Sequence, residues 1–196
     1  MVIKPWERTE DVAMLKSFMK RPIFQYAWVV NDLDAAAQRW VDAFGAGPFF
    51  TARHHKAEGY YRYRGSSKEC DLSYAFGYCG PVQIQLIQLH DDTPSIFHDM
   101  FRRGEEGFHH VAIIGNDFLA DRQHLLDQGL ELANEMWSGA DVCYFDARPQ
   151  FGMFVEIHGS SPEVRAMFAA WKAAHDDWDG TTDPVREARA LPKQIT

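Results

Sequence analysis

The sequence predicts an α+β protein. It reads as two tandem βαβββ modules forming open, curved, mixed sheets around one cleft, with helical extensions at both ends. Three observations predict this. The chain carries a weak copy of itself. Each copy runs from a short apolar strand into an Asp that can cap a helix. At 196 residues and 46% hydrophobic, the chain can bury a real core.

The repeat sets the register. Phe24-Gln25-Tyr26-Ala27-Trp28-Val29-Val30-Asn31-Asp32 matches His109-His110-Val111-Ala112-Ile113-Ile114-Gly115-Asn116-Asp117 when Gln25 is laid on His110. Ala27 then falls on Ala112, Asn31 on Asn116 and Asp32 on Asp117. Duplication about a pseudo-twofold axis sets equivalent side chains facing one another, and Gln25 and His110 are both plausible metal ligands.

Residues 1–20 read as an N-terminal helical arm, with Val12, Leu15, Phe18 and Met19 at helical spacing and Pro22 as the stop. The first module, 21–95, has strands at Phe24–Val30, Phe49–Arg53, Leu72–Tyr78 and Val82–Leu89. Its helix opens at Asp32, carries Leu33, Ala36, Trp40, Val41 and Phe44 on one face, and ends at Gly45. The stretch from about His54 to Lys68 reads as a polar, solvated loop. A linker, 96–104, follows, with a short helix around Ser95–Arg102. The second module, 105–160, has strands at Phe108–Ile114, Leu132–Trp137, Val142–Ala147 and Met153–His158, and a helix from Asp117 to Gly129. The C-terminal helical tail, 161–196, starts at Ser161-Pro162-Glu163, with Pro at the first helical position. Val164, Met167, Phe168 and Trp171 form its apolar stripe, and from about Gly180 the chain reads as polar and loosely held.

Composition excludes several classes. Net charge is −8 without a basic run, which argues against a nucleic-acid partner. No segment approaches a membrane span and none reads as a signal peptide. Three cysteines without metal-type spacing suggest reduced thiols and a cytoplasmic protein.

The last strand of each module holds a polar residue near its middle. These are Gln85 within Val82–Gln88 and Glu156 within Met153–Ile157. An unpaired buried carboxylate costs several kcal/mol or more, on the order of a lost ion pair, and metal coordination offsets that. Two symmetry-related strand pairs could aim Gln25, Gln85, His110 and Glu156 at one point. Neighbours on a strand face opposite sides, so His110 is expected in the site and His109 behind it. Gln83 and Gln88 are read as structural and off the site face. His54 and His55 are read as solvated.

These residues carry a resemblance. Gln25–Leu33, Val82–Gln88, Gly104–Ala112 and Gly152–Glu156 resemble the vicinal oxygen chelate superfamily, which includes glyoxalase I, methylmalonyl-CoA epimerase, extradiol dioxygenases and bleomycin-resistance proteins. The epimerase-like branch is nearest in look, and Gly107-Phe108-His109-His110-Val111-Ala112 is the most specific segment. The resemblance spans roughly residues 21–160. It implies four metal ligands, Gln25, Gln85, His110 and Glu156. Epimerases of this type usually have His at the first position, where this chain has Gln25, as glyoxalase I enzymes can.

The resemblance implies a divalent metal. A set of two amide oxygens, one imidazole and one carboxylate suits Mn, Co, Ni or Mg better than tetrahedral Zn, with Zn still a candidate. The implied activity is that of an isomerase, epimerase or lyase that polarises a carbonyl-containing small molecule and stabilises an enolate-type intermediate. Glu156 and Glu69 are the candidate bases. Glu69 lies about where the epimerase-like branch keeps a catalytic glutamate, and a surface role for it is the alternative. A metal-free small-molecule binding protein is the rival reading. An extradiol dioxygenase is the weaker one, because Gln25 replaces a needed histidine. A homodimer is expected from the family and the apolar stripes of arm and tail.

Overall fold

The computed structural model describes residues 21–188. The arm expected over 1–20 lies outside the described residues. The rest forms one mixed sheet of ten strands with helices on its faces.

The first module runs β1 (Gln25–Val30), α1 (Leu33–Phe44), β2 (Phe49–His55), β3 (Tyr61–Tyr63), β4 (Leu72–Cys79) and β5 (Val82–Leu89). The second runs β6 (Gly107–Ile114), α2 (Phe118–Asp127), β7 (Glu131–Trp137), β8 (Asp141–Asp146), α3 (Arg148–Phe151) and β9 (Phe154–His158). The tail adds α4 (Pro162–Asp176) and β10 (Val185–Glu187). The strand order is β10-β2-β4-β5-β1-β6-β9-β8-β7-β3.

The two modules meet where β1 and β6 pair antiparallel, and the pairing obeys the sequence repeat. Gln25 lies opposite Ala112 and Ala27 opposite His110. Each first strand then pairs parallel with the last strand of its own module, Ala27 opposite Gln85 and Ala112 opposite Glu156. The helix starts repeat too. The Asp32 carboxylate accepts the Ala35 N–H at 3.0 Å and the Asp117 carboxylate accepts the Ala120 N–H at 3.1 Å, each satisfying a first-turn donor that has no partner within its helix.

Strand alternation sorts the cores. On the outer face α1 buries Leu33, Ala36, Ala37 and Val41 against Ile84, Leu86 and Ala75, while α2 buries Leu125 against Val111, Ile113, Val155 and Ile157. The inner face carries Ala27, Val29, Tyr74, Ile87, Tyr144 and Phe154.

Three segments border that inner face, and the first two depart from the sequence expectation. The polar loop after β2 contains β3, which pairs antiparallel with β7 and so straps the first module to the far edge of the second. Arg64 beside it is exposed, yet pairs with Asp99, Asp146 and Glu131. The segment 95–102 forms turns rather than a regular helix, and buries Ile96 and Phe97 in the inner core. The Phe101 ring packs so closely on Gly107 that a Cβ there would meet it at 2.4 Å and force the ring to shift. Helix α4 forms as expected, capped by Ser161, and stacks Trp171 between Phe50 and Phe76. Beyond Gly180, Val185–Glu187 is held in the sheet rather than loosely, because β10 pairs parallel with β2. A hydrophilic strand of three residues gives too short a pattern to read.

Cys70, Cys79 and Cys143 are all free thiols. No helix among the described residues is long and apolar enough to cross a membrane.

Candidate active site

Four adjacent strands, β5, β1, β6 and β9, bring Gln85, Gln25, His110 and Glu156 to the inner face. All four are at most 5% exposed. Gln85 and His110 flank Ala27, and Gln25 and Glu156 flank Ala112. With neighbouring strands about 4.8 Å apart, the two alanines form a floor with four longer side chains around it. This explains why alanine recurs at the matched position of the repeat.

Each of the four carries a buried oxygen or nitrogen with no hydrogen-bond partner among the described residues. These are Gln25 Oε1, Gln85 Oε1, His110 Nε2 and Glu156 Oε2. Buried polar atoms are rarely left so, because each costs on the order of 1–3 kcal/mol. Four on one face, all able to donate a lone pair, fit a cation. His110 Nε2 and Glu156 Oε2 approach to 3.0 Å, yet miss the alignment of a hydrogen bond.

The protons around His110 follow from a fixed end point. His109 Nε2 lies 3.1 Å from the Ile96 carbonyl oxygen, which can only accept, so this nitrogen carries a proton. Burial, and secondly the neighbouring His110, hold the His109 pKa well below the usual range, so the ring is neutral and its Nδ1 is bare. His110 Nδ1, 2.9 Å away, must then donate to it. In its neutral form His110 then turns a bare Nε2 toward Glu156. Two lone pairs at 3.0 Å repel unless a positive charge sits between them.

Both histidines share the inner face, which alternation had excluded. The register between β1 and β6 shifts at Ala27/Trp28, with Phe108 opposite Trp28 and His110 opposite Ala27. His109 is the extra residue of a bulge, which breaks the alternation. Its ring stacks on Phe154 with centroids 4.9 Å apart.

Gln83 is the second correction. It stands two residues from Gln85, so it shares the site face, and its Oε1 accepts the Gln25 Nε2–H at 2.5 Å. Period-two counting within β5 was the signal that could have found it. Gln88 does face away, and accepts the Leu33 N–H at 3.2 Å. His54 is exposed and bonds Asp71. His55 is not solvated: it ends β2, and its Nε2 lies 2.9 Å from Ser138 Oγ of the second module.

Among the described residues Glu69 has no hydrogen bond to the four-residue cluster. It precedes β4, and its carboxylate accepts the Ala57 N–H at 2.6 Å. Its charge reaches Tyr61 and Tyr74, whose hydroxyls are held above their usual pKa mainly by burial. Tyr74 and Tyr144 were not singled out from sequence. Tyr144 lies opposite Glu156, and burial first, then Glu156, raises its pKa. Both tyrosines stay neutral beside a carboxylate.

Among the described residues no group of three or more His, Cys, Asp or Glu is set to hold a metal. Two amides complete this set.

A family model described as Glyoxalase/Bleomycin resistance protein/Dioxygenase superfamily matches residues 24–145, more than half of the chain. The chain belongs to this superfamily. No curated protein sequence matches it. Among solved structures it is similar to methylmalonyl-CoA epimerase from Mycobacterium tuberculosis, at 19% identity and TM-score 0.55, covering 74% of this chain and 91% of that one. It is similar to a hypothetical protein from Bacillus halodurans, at 17% identity and TM-score 0.53, covering 72% and 96%. A variant of Streptomyces coelicolor methylmalonyl-CoA epimerase in complex with 2-nitronate-propionyl-CoA aligns at 18% identity and TM-score 0.50, covering 72% and 96%. These likenesses carry the fold: the mixed α+β architecture with its curved, open sheet is that of the superfamily.

Proposed function

We propose that this chain is a divalent-metal-dependent isomerase, epimerase or lyase that acts on a small carbonyl-containing substrate through an enolate-type intermediate. The observation that carries the reading is the set of four unpartnered lone-pair atoms on one face, Gln25 Oε1, Gln85 Oε1, His110 Nε2 and Glu156 Oε2. These residues would hold the ion. A bound ion would supply Lewis acidity toward a carbonyl oxygen and the charge that develops on it. With one carboxylate among four donors, the site would leave about one net positive charge of a divalent ion uncompensated, and hard oxygen donors favour Mn, Co, Ni or Mg.

The chain's own groups supply the rest. His109 holds His110 in one tautomer. Neutral Tyr74 and Tyr144 line the site and keep water from it. Glu69 is the proposed base: one of its oxygens is engaged by the Ala57 N–H, leaving the other for a proton. Glu156 is the second candidate for that role.

Metal analysis of full-length protein purified without chelator tests the reading, alongside His110→Ala, Glu156→Ala and Glu69→Gln. The expected result is about one equivalent of divalent metal in the wild type, lost in the first two variants and retained by Glu69→Gln with proton exchange abolished. Wild-type protein without metal would overturn the proposal and favour a small-molecule binding protein.

A further inference from the structure

The geometry points to Gln83 and Tyr78 as positioning residues that carry the hydrogen-bond polarity of the tail helix to Gln25. The inference rests on the reading of Gln25 as a ligand. An amide ligand poses a problem that an imidazole does not. Its oxygen and nitrogen are nearly the same size, and a half-turn of the side chain presents N–H to the ion instead of a lone pair. Something must set which end faces the site.

A chain of buried groups does so. Tyr78 Oη lies 3.3 Å from the backbone oxygen of Phe168 in α4. A carbonyl has no hydrogen to give, so the Tyr78 hydroxyl donates to it. Burial holds that hydroxyl above its usual pKa, so the proton is present to be donated. The Tyr78 oxygen then accepts from Gln83 Nε2 at 3.2 Å. This turns Gln83 Oε1 toward Gln25, where it accepts the Gln25 Nε2–H at 2.5 Å. With its nitrogen engaged, Gln25 leaves Oε1 free on the site side, where it has no partner among the described residues. Gln25, Gln83 and Tyr78 are at most 7% exposed, so water is poorly placed to substitute for a missing link. Every step has one allowed direction because the last acceptor is a backbone carbonyl.

Phe168 lies beyond the 24–145 span of the family match. The tail helix thus acts on the first-module ligand from outside the duplicated fold. The His109–His110 pair does the same for the second module, ending on the Ile96 carbonyl. Both lines terminate in an acceptor, and both leave a lone pair facing the site.

Tyr78→Phe and Gln83→Leu in the full chain test this, with Mn²⁺ affinity and the side-chain amide of Gln25 in ¹⁵N-labelled, metal-free protein as readouts. Loss of a group that orients a ligand costs about 10–100-fold in metal affinity, so each variant is expected to bind Mn²⁺ at least about tenfold more weakly. The Gln25 amide protons are expected to exchange faster with solvent in both. Melting temperature serves as the control. If both variants bind Mn²⁺ as the wild type does, the relay is overturned and the metal reading stands, whatever happens to stability. If the wild type binds no Mn²⁺ but Gln25 exchange rises in both variants, the relay stands and the metal reading falls.

Discussion

His109 Nδ1 lies 2.9 Å from His110 Nδ1, and only one proton can occupy the line between them. The Ile96 carbonyl decides whose it is. His110 Nδ1 donates, and Nε2 is the end it turns toward Glu156.

His109→Phe separates this role from packing. Phenylalanine can keep the stack on Phe154 but removes the acceptor. His110 is then free to adopt the other tautomer, which points a proton at the site. Metal affinity is expected to fall about 10–100-fold with little change in far-UV circular dichroism. Equal affinity in a Mn²⁺ titration would refute the tautomer assignment.

Ala112 is floor rather than ligand. It is fully buried between Gln25 and Glu156. Ala112→Val puts two methyl groups where the four donors converge. Overpacking of this kind costs about 1–3 kcal/mol, so the protein is expected to stay folded with a lower Tm. Metal content is expected to drop as well, because the donors can no longer close on one ion. A variant with full metal occupancy would show that the donors converge elsewhere.

Asp146 makes a pH prediction for the strap. Hydrogen bonds from Arg148, helped by Arg64 and opposed by burial, hold its pKa at about 2, below the ordinary carboxylate value. A carboxylate with a lowered folded pKa stabilises the fold above its unfolded pKa and loses that contribution as pH falls through the folded value. Stability is therefore expected to decline between roughly pH 4 and pH 2, by on the order of 1–2 kcal/mol from this group. Urea unfolding across that range checks it, and Asp146→Asn is expected to flatten the decline. An unchanged slope in that variant would place the acid sensitivity elsewhere.

The four donor positions were legible because duplication leaves a mark in sequence. Equivalent residues fall at equivalent offsets, and a polar residue amid an apolar strand stands out. Period-two alternation assigns the faces, with one exception. Gln83 shares parity with Gln85 and so shares its face. His109 was misplaced because a bulge between β1 and β6 adds a residue to one strand only, and no residue pattern marks that shift. β3 and β10 were missed because strands of three residues carry no readable period.

Sequence alone determined the duplication, the strand–helix order, the helix caps and the four polar residues that share the inner face. All of these depend on local spacing, which the chain carries with it. Only the tertiary structure decided which ends of Gln25 and His110 face the inner side of the sheet. That choice is made by carbonyls far away in sequence, Phe168 for Gln25 and Ile96 for His110. A hydrogen bond has a direction, and the direction is set where the chain of bonds ends, a place that only folding brings within reach.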